Sequence, residues 1–101
     1  MDVKIAKRKD RLVASLSGEL NNMASFEAKK ALGPLMEQTD LDVEVDCSGL
    51  EYISSSGLRL FIDIYKHQHK IGRRCFMSHL RENVKTVLEL GGFFMLFEQE
   101  D

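Results

Sequence analysis

Two alternating stretches open the chain. Val3 and Ile5 alternate with Lys4 and Ala6, and Leu12, Ala14 and Leu16 alternate with Val13, Ser15 and Ser17. A period of two sends successive side chains to opposite faces, so the pattern predicts a hairpin. The polar run at 7–11 supplies its turn, and Gly18 ends its second strand. From residue 23 to about 38 the period is helical. Phe26, Lys30 (by its stem only), Gly33 and Glu37 trace one line, while Met23, Ala24, Ala28, Ala31, Leu32, Leu35 and Met36 supply the apolar surface. Asn21 and Asn22 precede this stretch, where a side-chain carbonyl can accept an unpaired amide of the first turn. Gly33-Pro34 lies inside it and predicts a kink or a break into two shorter helices, because proline removes a backbone donor and clashes one turn back.

Residues 41–45 read as a short buried strand, closed by Asp46-Cys47-Ser48-Gly49. The strongest helical pattern begins near Ser55 or Ser56. Leu58, Phe61, Ile62 and Tyr65 recur at i, i+3, i+4 and i+7, with Leu60, Ile64 and Ile71 widening the apolar face. Residues 73–77 predict a fourth strand. Residues 80–90 predict a further helix with Val84, Val87, Leu88 and Leu90 inward and Gly91-Gly92 as its stop. Residues 93–97 predict a closing strand, followed by an acidic tail of Glu98, Glu100 and Asp101. Strands alternate with helices after the hairpin, which implies right-handed crossovers, a mostly parallel sheet and an α/β sandwich. Ligands and partners of such folds meet the carboxyl ends of the strands and the helix starts beside them.

Composition narrows the possibilities. The 101 residues suit one domain, and 14 Lys and Arg against 16 Asp and Glu leave a formal charge of −2. That balance argues against a protein that coats nucleic acid directly. No apolar run approaches the ~20 residues of a membrane span, and the polar start carries no signal peptide, so no membrane insertion is expected. Cys47 and Cys75 are too few for a disulfide scaffold and fit a reducing cytoplasm. No cofactor is called for. The sequence lacks a glycine-rich phosphate loop, a GxSxG elbow and an HExxH pair.

What remains is the serine run Ser54-Ser55-Ser56-Gly57 ahead of the strongest helix. Capping alone accounts for one hydroxyl there. A second reading is that one serine accepts a phosphate, since a helix N-terminus favours negative charge. Gly57, without a side chain, would then let a kinase or a partner backbone come close.

The segment Asp46-Cys47-Ser48-Gly49-Leu50-Glu51-Tyr52-Ile53-Ser54-Ser55-Ser56-Gly57-Leu58-Arg59 resembles the signature of STAS domains of the anti-sigma factor antagonist type. Leu16-Ser17-Gly18-Glu19-Leu20-Asn21 resembles the family's first loop, and Lys70-Ile71-Gly72 its second-helix exit. Val84-Lys85-Thr86-Val87-Leu88-Glu89-Leu90-Gly91-Gly92-Phe93 resembles its third helix and final strand. These matches run in order along essentially the whole chain. The resemblance implies a single STAS domain over 1–101, a sandwich with a mixed sheet of four to five strands and helices packed on it. It also implies a bacterial partner-switching protein, not an enzyme. Unphosphorylated, such a protein binds an anti-sigma factor that is also a serine kinase and so frees the sigma factor. Phosphorylation weakens that binding, and a serine phosphatase restores it. By position the acceptor is Ser56, and the partner-binding residues are Asn21, Ser54, Ser55, Ser56, Gly57, Leu58 and Arg59. Family members often carry Asp where this chain has Ser54 and Asn21, so the surroundings of Ser56 are less acidic here.

Other signals carry less. His67 and His69 are two apart and would point about 200° from each other on a helix, so they cannot share a metal ion and read as solvated. Arg73-Arg74 and the basic residues of 7–11 read as solvated turns, and the cysteines as small buried hydrophobes. An adaptor subunit of a stress-sensing or lipid-transport assembly, with no serine modified, is the alternative function. A hydrolase using Ser56 lacks a placed His–acid pair.

Overall fold

The computed structural model describes residues 1–92 and 96–100. β1 (Asp2–Arg8) and β2 (Arg11–Leu20) form the antiparallel hairpin, with Val3 opposite Leu16 and Ile5 opposite Ala14. The turn is tighter than expected, because Lys7, Arg8 and Arg11 all pair within the strands and Lys9 takes a φ of 58°. Nor does β2 stop at Gly18. Its pairing with the next strand slips between Ser15 and Ser17 and again between Gly18 and Glu19, and Gly18 has a φ of 104°. Such irregularities bend a strand without ending it. β2 therefore reaches Leu20, which is fully buried.

Asn21 then caps α1 (Asn22–Ala31), and α2 (Gly33–Glu37) follows after a break at Leu32. Pro34 falls in the first turn of α2, where its missing donor costs no intrahelical bond, so the chain breaks into two helices. β3 (Asp42–Ile53) is much longer than the segment 41–45. The residues expected to close it, Asp46 to Gly49, stay in the sheet. Gly49 makes this feasible: a Cβ there would lie 2.4 Å from Ser17 Oγ and 2.9 Å from the Leu16 carbonyl oxygen, so only glycine admits the bent β2 at this approach.

α3 (Ser55–Lys70), β4 (Cys75–Ser78), α4 (Glu82–Leu90) and β5 (Glu98–Glu100) complete the fold. The fourth strand thus starts two residues later than expected and extends through Ser78. For the closing strand, positions 93–95 lie outside the described residues, as does Asp101. Leu96 and Phe97 precede the strand, and Glu98 and Glu100, expected as a tail, form it. The strand order is β1-β2-β3-β4-β5, antiparallel in the first pair and parallel in the other three. This is the mixed α/β arrangement that the alternation implied.

The helices bury one face of the sheet. Ala14, Leu16, Val43, Val45, Cys47 and Met77 meet Ala28, Leu32, Leu35, Leu60, Phe61, Ile64, Val84 and Leu88 in a single core. The inward line of α3 is Gly57, Leu60, Phe61, Ile64 and Gln68; Leu58, Ile62 and Tyr65 are half-buried beside it. In α4 only Val84 and Leu88 are buried, whereas Val87 and Leu90 face out. Gln68 is a buried polar hub. Its amide donates to the Leu41 and Arg74 carbonyls, 3.0 Å each, and its oxygen accepts from Gln38 at 2.8 Å. Alternate strand positions turn Arg11, Glu44, Asp46, Phe76 and Ser78 to the other face. There the arginines expected to be solvated are engaged: Arg11 with Glu44 and Glu100, Arg74 with Glu98, and, near the start of β3, Arg73 with Asp42. No helix among the described residues is long and apolar enough to cross a membrane.

Candidate functional site

Leu20 at the end of β2 pairs with Ile53 at the end of β3, and the Ser54 amide donates to the Leu20 carbonyl at 2.9 Å. Two parallel strands thus stop at one level, and α1 and α3 begin side by side. Asn21 Oδ1 accepts the Ala24 amide at 2.9 Å, and the Asn21 carbonyl accepts the Ser25 hydroxyl at 2.8 Å. At the second start Ser54 Oγ accepts the Gly57 amide at 3.2 Å. Of the three serines, Ser54 is therefore the cap. It is 8% exposed, and Ser55 is exposed.

Ser56 is half-buried and opens onto a groove of about 250 Å³ between the two helices. Asn22, Ser25, Phe26 and Lys29 line it from α1; Ser56, Arg59, Leu60 and Asp63 line it from α3. Among the described residues neither Lys29 nor Arg59 forms an ion pair. The first turn of α3, to which Ser56 belongs, carries no acidic residue to offset the positive end of the 16-residue helix.

Asn21, Ser55, Ser56 and Arg59 thus share this edge of the molecule, and Leu58 is half-buried against the core. Ser54 and Gly57 lie inside and shape the edge without presenting a surface. Gly57 corrects one expectation. Its bare Cα does not make room for a partner; a Cβ there would lie 2.7 Å from Leu20 Cγ and 3.0 Å from Ile53 Cγ1. The glycine lets the start of α3 settle on the strand ends.

Sequence reasoning missed Met23 and Phe26, assigned to or beside the apolar surface of the first helix but 83% and 77% exposed. They are three apart and so neighbours on α1, and Phe26 borders the groove. The signal was present: Phe26 shares its helical line with Lys30 and Glu37, which marks a solvent-facing stripe.

The remaining candidates lie elsewhere. His67 bonds to the Gln38 carbonyl at 2.7 Å, so it is tied down and not merely solvated. His69 stacks against Tyr65, and His79 pairs with Asp46 at 3.2 Å. Both cysteines are free and buried. Burial, with Asp46 nearby, pushes the Cys47 thiol up to about 12; burial, with Glu98 and Asp42, pushes Cys75 up to about 11. Neither forms thiolate readily near neutrality. Among the described residues no three His, Cys, Asp or Glu side chains group as a metal site.

A mixed five-stranded sheet, with two neighbouring parallel strands ending beneath paired helix starts, defines a small α/β domain with a hydroxyl-bearing edge. The chain belongs to the STAS domain family, whose model matches residues 2–100. The resemblance noted in the serine run therefore holds for the chain as a whole. It is similar to BtrV of Bordetella bronchiseptica, named as a candidate anti-sigma factor antagonist, with 27% identity over 97 residues, covering 96% of this chain and 84% of BtrV. A solved Thermotoga maritima protein, also named as a candidate anti-sigma factor antagonist, superposes with a TM-score of 0.87 at 21% identity, covering 98% and 86% of the two chains. The anti-sigma factor antagonist SpoIIAA in its unphosphorylated form superposes with a TM-score of 0.81 at 16% identity, covering 99% and 89%. The phosphorylated form of SpoIIAA from Bacillus gives 0.74 at 15%, covering 99% and 92%.

Proposed function

We propose that this chain is an anti-sigma factor antagonist, acting in the cytoplasm as a single STAS domain by binding and not by catalysis. Unphosphorylated, it binds an anti-sigma factor with serine-kinase activity through the paired helix starts, and the sigma factor is released. Met23 and Phe26 add apolar contact area beside Asn21, Ser55, Ser56 and Arg59. The kinase then transfers the γ-phosphoryl group of ATP to Ser56. An O–P bond forms at Oγ, the bond to the departing ADP breaks, and the hydroxyl proton is released. The modification adds about −1.5 to −2 charge and considerable bulk at a surface shaped around a neutral hydroxyl. The helix start tolerates the anion while the partner surface does not, and a serine phosphatase resets the switch.

The observation that carries this reading is the position of Ser56. It is the serine of the run that both opens onto the groove and stands clear of the capping role held by Ser54. The three histidines are engaged elsewhere, at Gln38, Tyr65 and Asp46, and none of them lines the groove at Ser56. The test is incubation with a cognate anti-sigma serine kinase and ATP, followed by intact-mass analysis. One added phosphate, mapped to Ser56 and absent in Ser56→Ala, is the expected result. No mass increase with the cognate kinase would overturn the switch and favour an adaptor subunit. Ser56→Asp is expected to bind the kinase more weakly than Ser56→Ala; equal affinities would remove charge from the mechanism.

A further inference from the structure

We propose that a phosphate on Ser56 is captured within the chain, by Lys29 across the groove and Arg59 one turn along α3, so that modification ties α1 to α3. This rests on the reading of Ser56 as the acceptor and deepens it. Ser56 and Arg59 are i and i+3 on one helix, hence on one face, and Lys29 lines the same groove from the facing helix. Both cations lack an ion-pair partner among the described residues. The groove, at about 250 Å³, has room for a phosphate on the Ser56 hydroxyl. Asp63 is the other charged group facing it, at i+4 from Arg59. A phosphate of nearly two charges with three acceptor oxygens outcompetes that single carboxylate for both cations.

The consequence for the switch is specific. A partner meeting the phosphorylated form loses the two free cations that bordered Phe26, in addition to meeting new bulk. Phosphorylation then withdraws recognition elements that the unmodified surface offers.

The test installs phosphoserine at position 56 during translation, so it does not depend on any kinase. Phosphorus NMR follows the second ionisation of the phosphate in the otherwise wild-type chain, in Lys29→Gln, in Arg59→Gln and in the double variant. The helix start depresses that ionisation in all four proteins, so the comparison isolates the two side chains. The midpoint is expected to lie below the ~6 of an unpaired phosphate and to rise by about half a unit or more in the double variant. Identical midpoints in all four would overturn capture. Both side chains are exposed, so the variants are expected to melt like the parent. Failure of the kinase assay would remove the acceptor reading but leave these midpoints shifted, whereas equal midpoints would remove capture and leave the acceptor reading standing.

Discussion

At Gly57 two effects of similar size oppose each other. Alanine is the better helix former by about 1 kcal/mol, and position 57 is within α3. Its Cβ would, however, sit 2.7 Å from Leu20 Cγ and 2.8 Å from Leu20 Cδ2, and Leu20 is fully buried with no room to retreat. Overpacking of this kind costs about 1–3 kcal/mol. Packing wins, and Gly57→Ala is expected to lower stability by about 1 kcal/mol in urea unfolding; a variant more stable than the parent would show that Leu20 can yield. Ser54 sets the same helix start by a different means. Ser54→Ala removes the acceptor of the Gly57 amide and is expected to cost about 1 kcal/mol, without altering which serine is exposed.

At the level of elements, Gln68 holds more of the fold than its place in a polar stretch suggests. It joins the end of α3 to the Leu41 and Arg74 carbonyls, which flank the entries to β3 and β4, and to Gln38 just beyond α2. Gln68→Leu would fill the space but take the side-chain donor from the Leu41 carbonyl, while the Arg74 carbonyl keeps the Val43 amide, at about 1–3 kcal/mol. The expected loss is near 2 kcal/mol in the same assay, and a neutral result would mean that water replaces the amide. This hub also shows where the sequence was opaque. The hairpin, the break at Gly33-Pro34, the cap at Asn21 and the start of α3 were legible because each depends on residues close in the chain. The serine run was legible as a helix start, but only the structure assigns the cap to Ser54 and the groove to Ser56. The length of β3 was hidden, because Asp46-Cys47-Ser48-Gly49 has turn chemistry that the bent β2 overrides from across the sheet. The exposure of Met23 and Leu90 was hidden too: helical spacing marks apolar positions, not how much of the surface the neighbouring elements cover.

On the scale of the whole molecule, the short edge strand β5 depends on charge. Arg11 donates to both carboxylate oxygens of Glu100, at 2.6 and 2.9 Å, and to Glu44 at 3.0 Å, with its guanidinium 3.7 Å above the Phe76 ring. Arg74, just ahead of β4 and 4.9 Å from the same ring, donates to Glu98 at 2.7 Å. These hydrogen bonds hold the Glu98 and Glu100 carboxyls below their ordinary value, against the opposing effect of desolvation. A carboxylate depressed in the folded state contributes stability that is fully present above the unfolded value, near ~4.3, and is lost as pH falls through the lower folded value. Ion pairs this exposed add little to global stability, so acid is expected to release β5 before it unfolds the sheet. The reporters are the amides of β5 and of His79, which donates to the Glu100 carbonyl at 3.3 Å. Their hydrogen exchange, corrected for its intrinsic pH dependence, is expected to lose protection between pH about 5 and 3, while β2 and β3 stay protected. Glu100→Gln should weaken the same amides at neutral pH, since a neutral amide gives Arg11 a poorer acceptor. Loss of protection spread evenly across the sheet would instead mean that β5 is fastened by packing, with Phe97 against Phe61 at 5.8 Å between ring centres as the anchor.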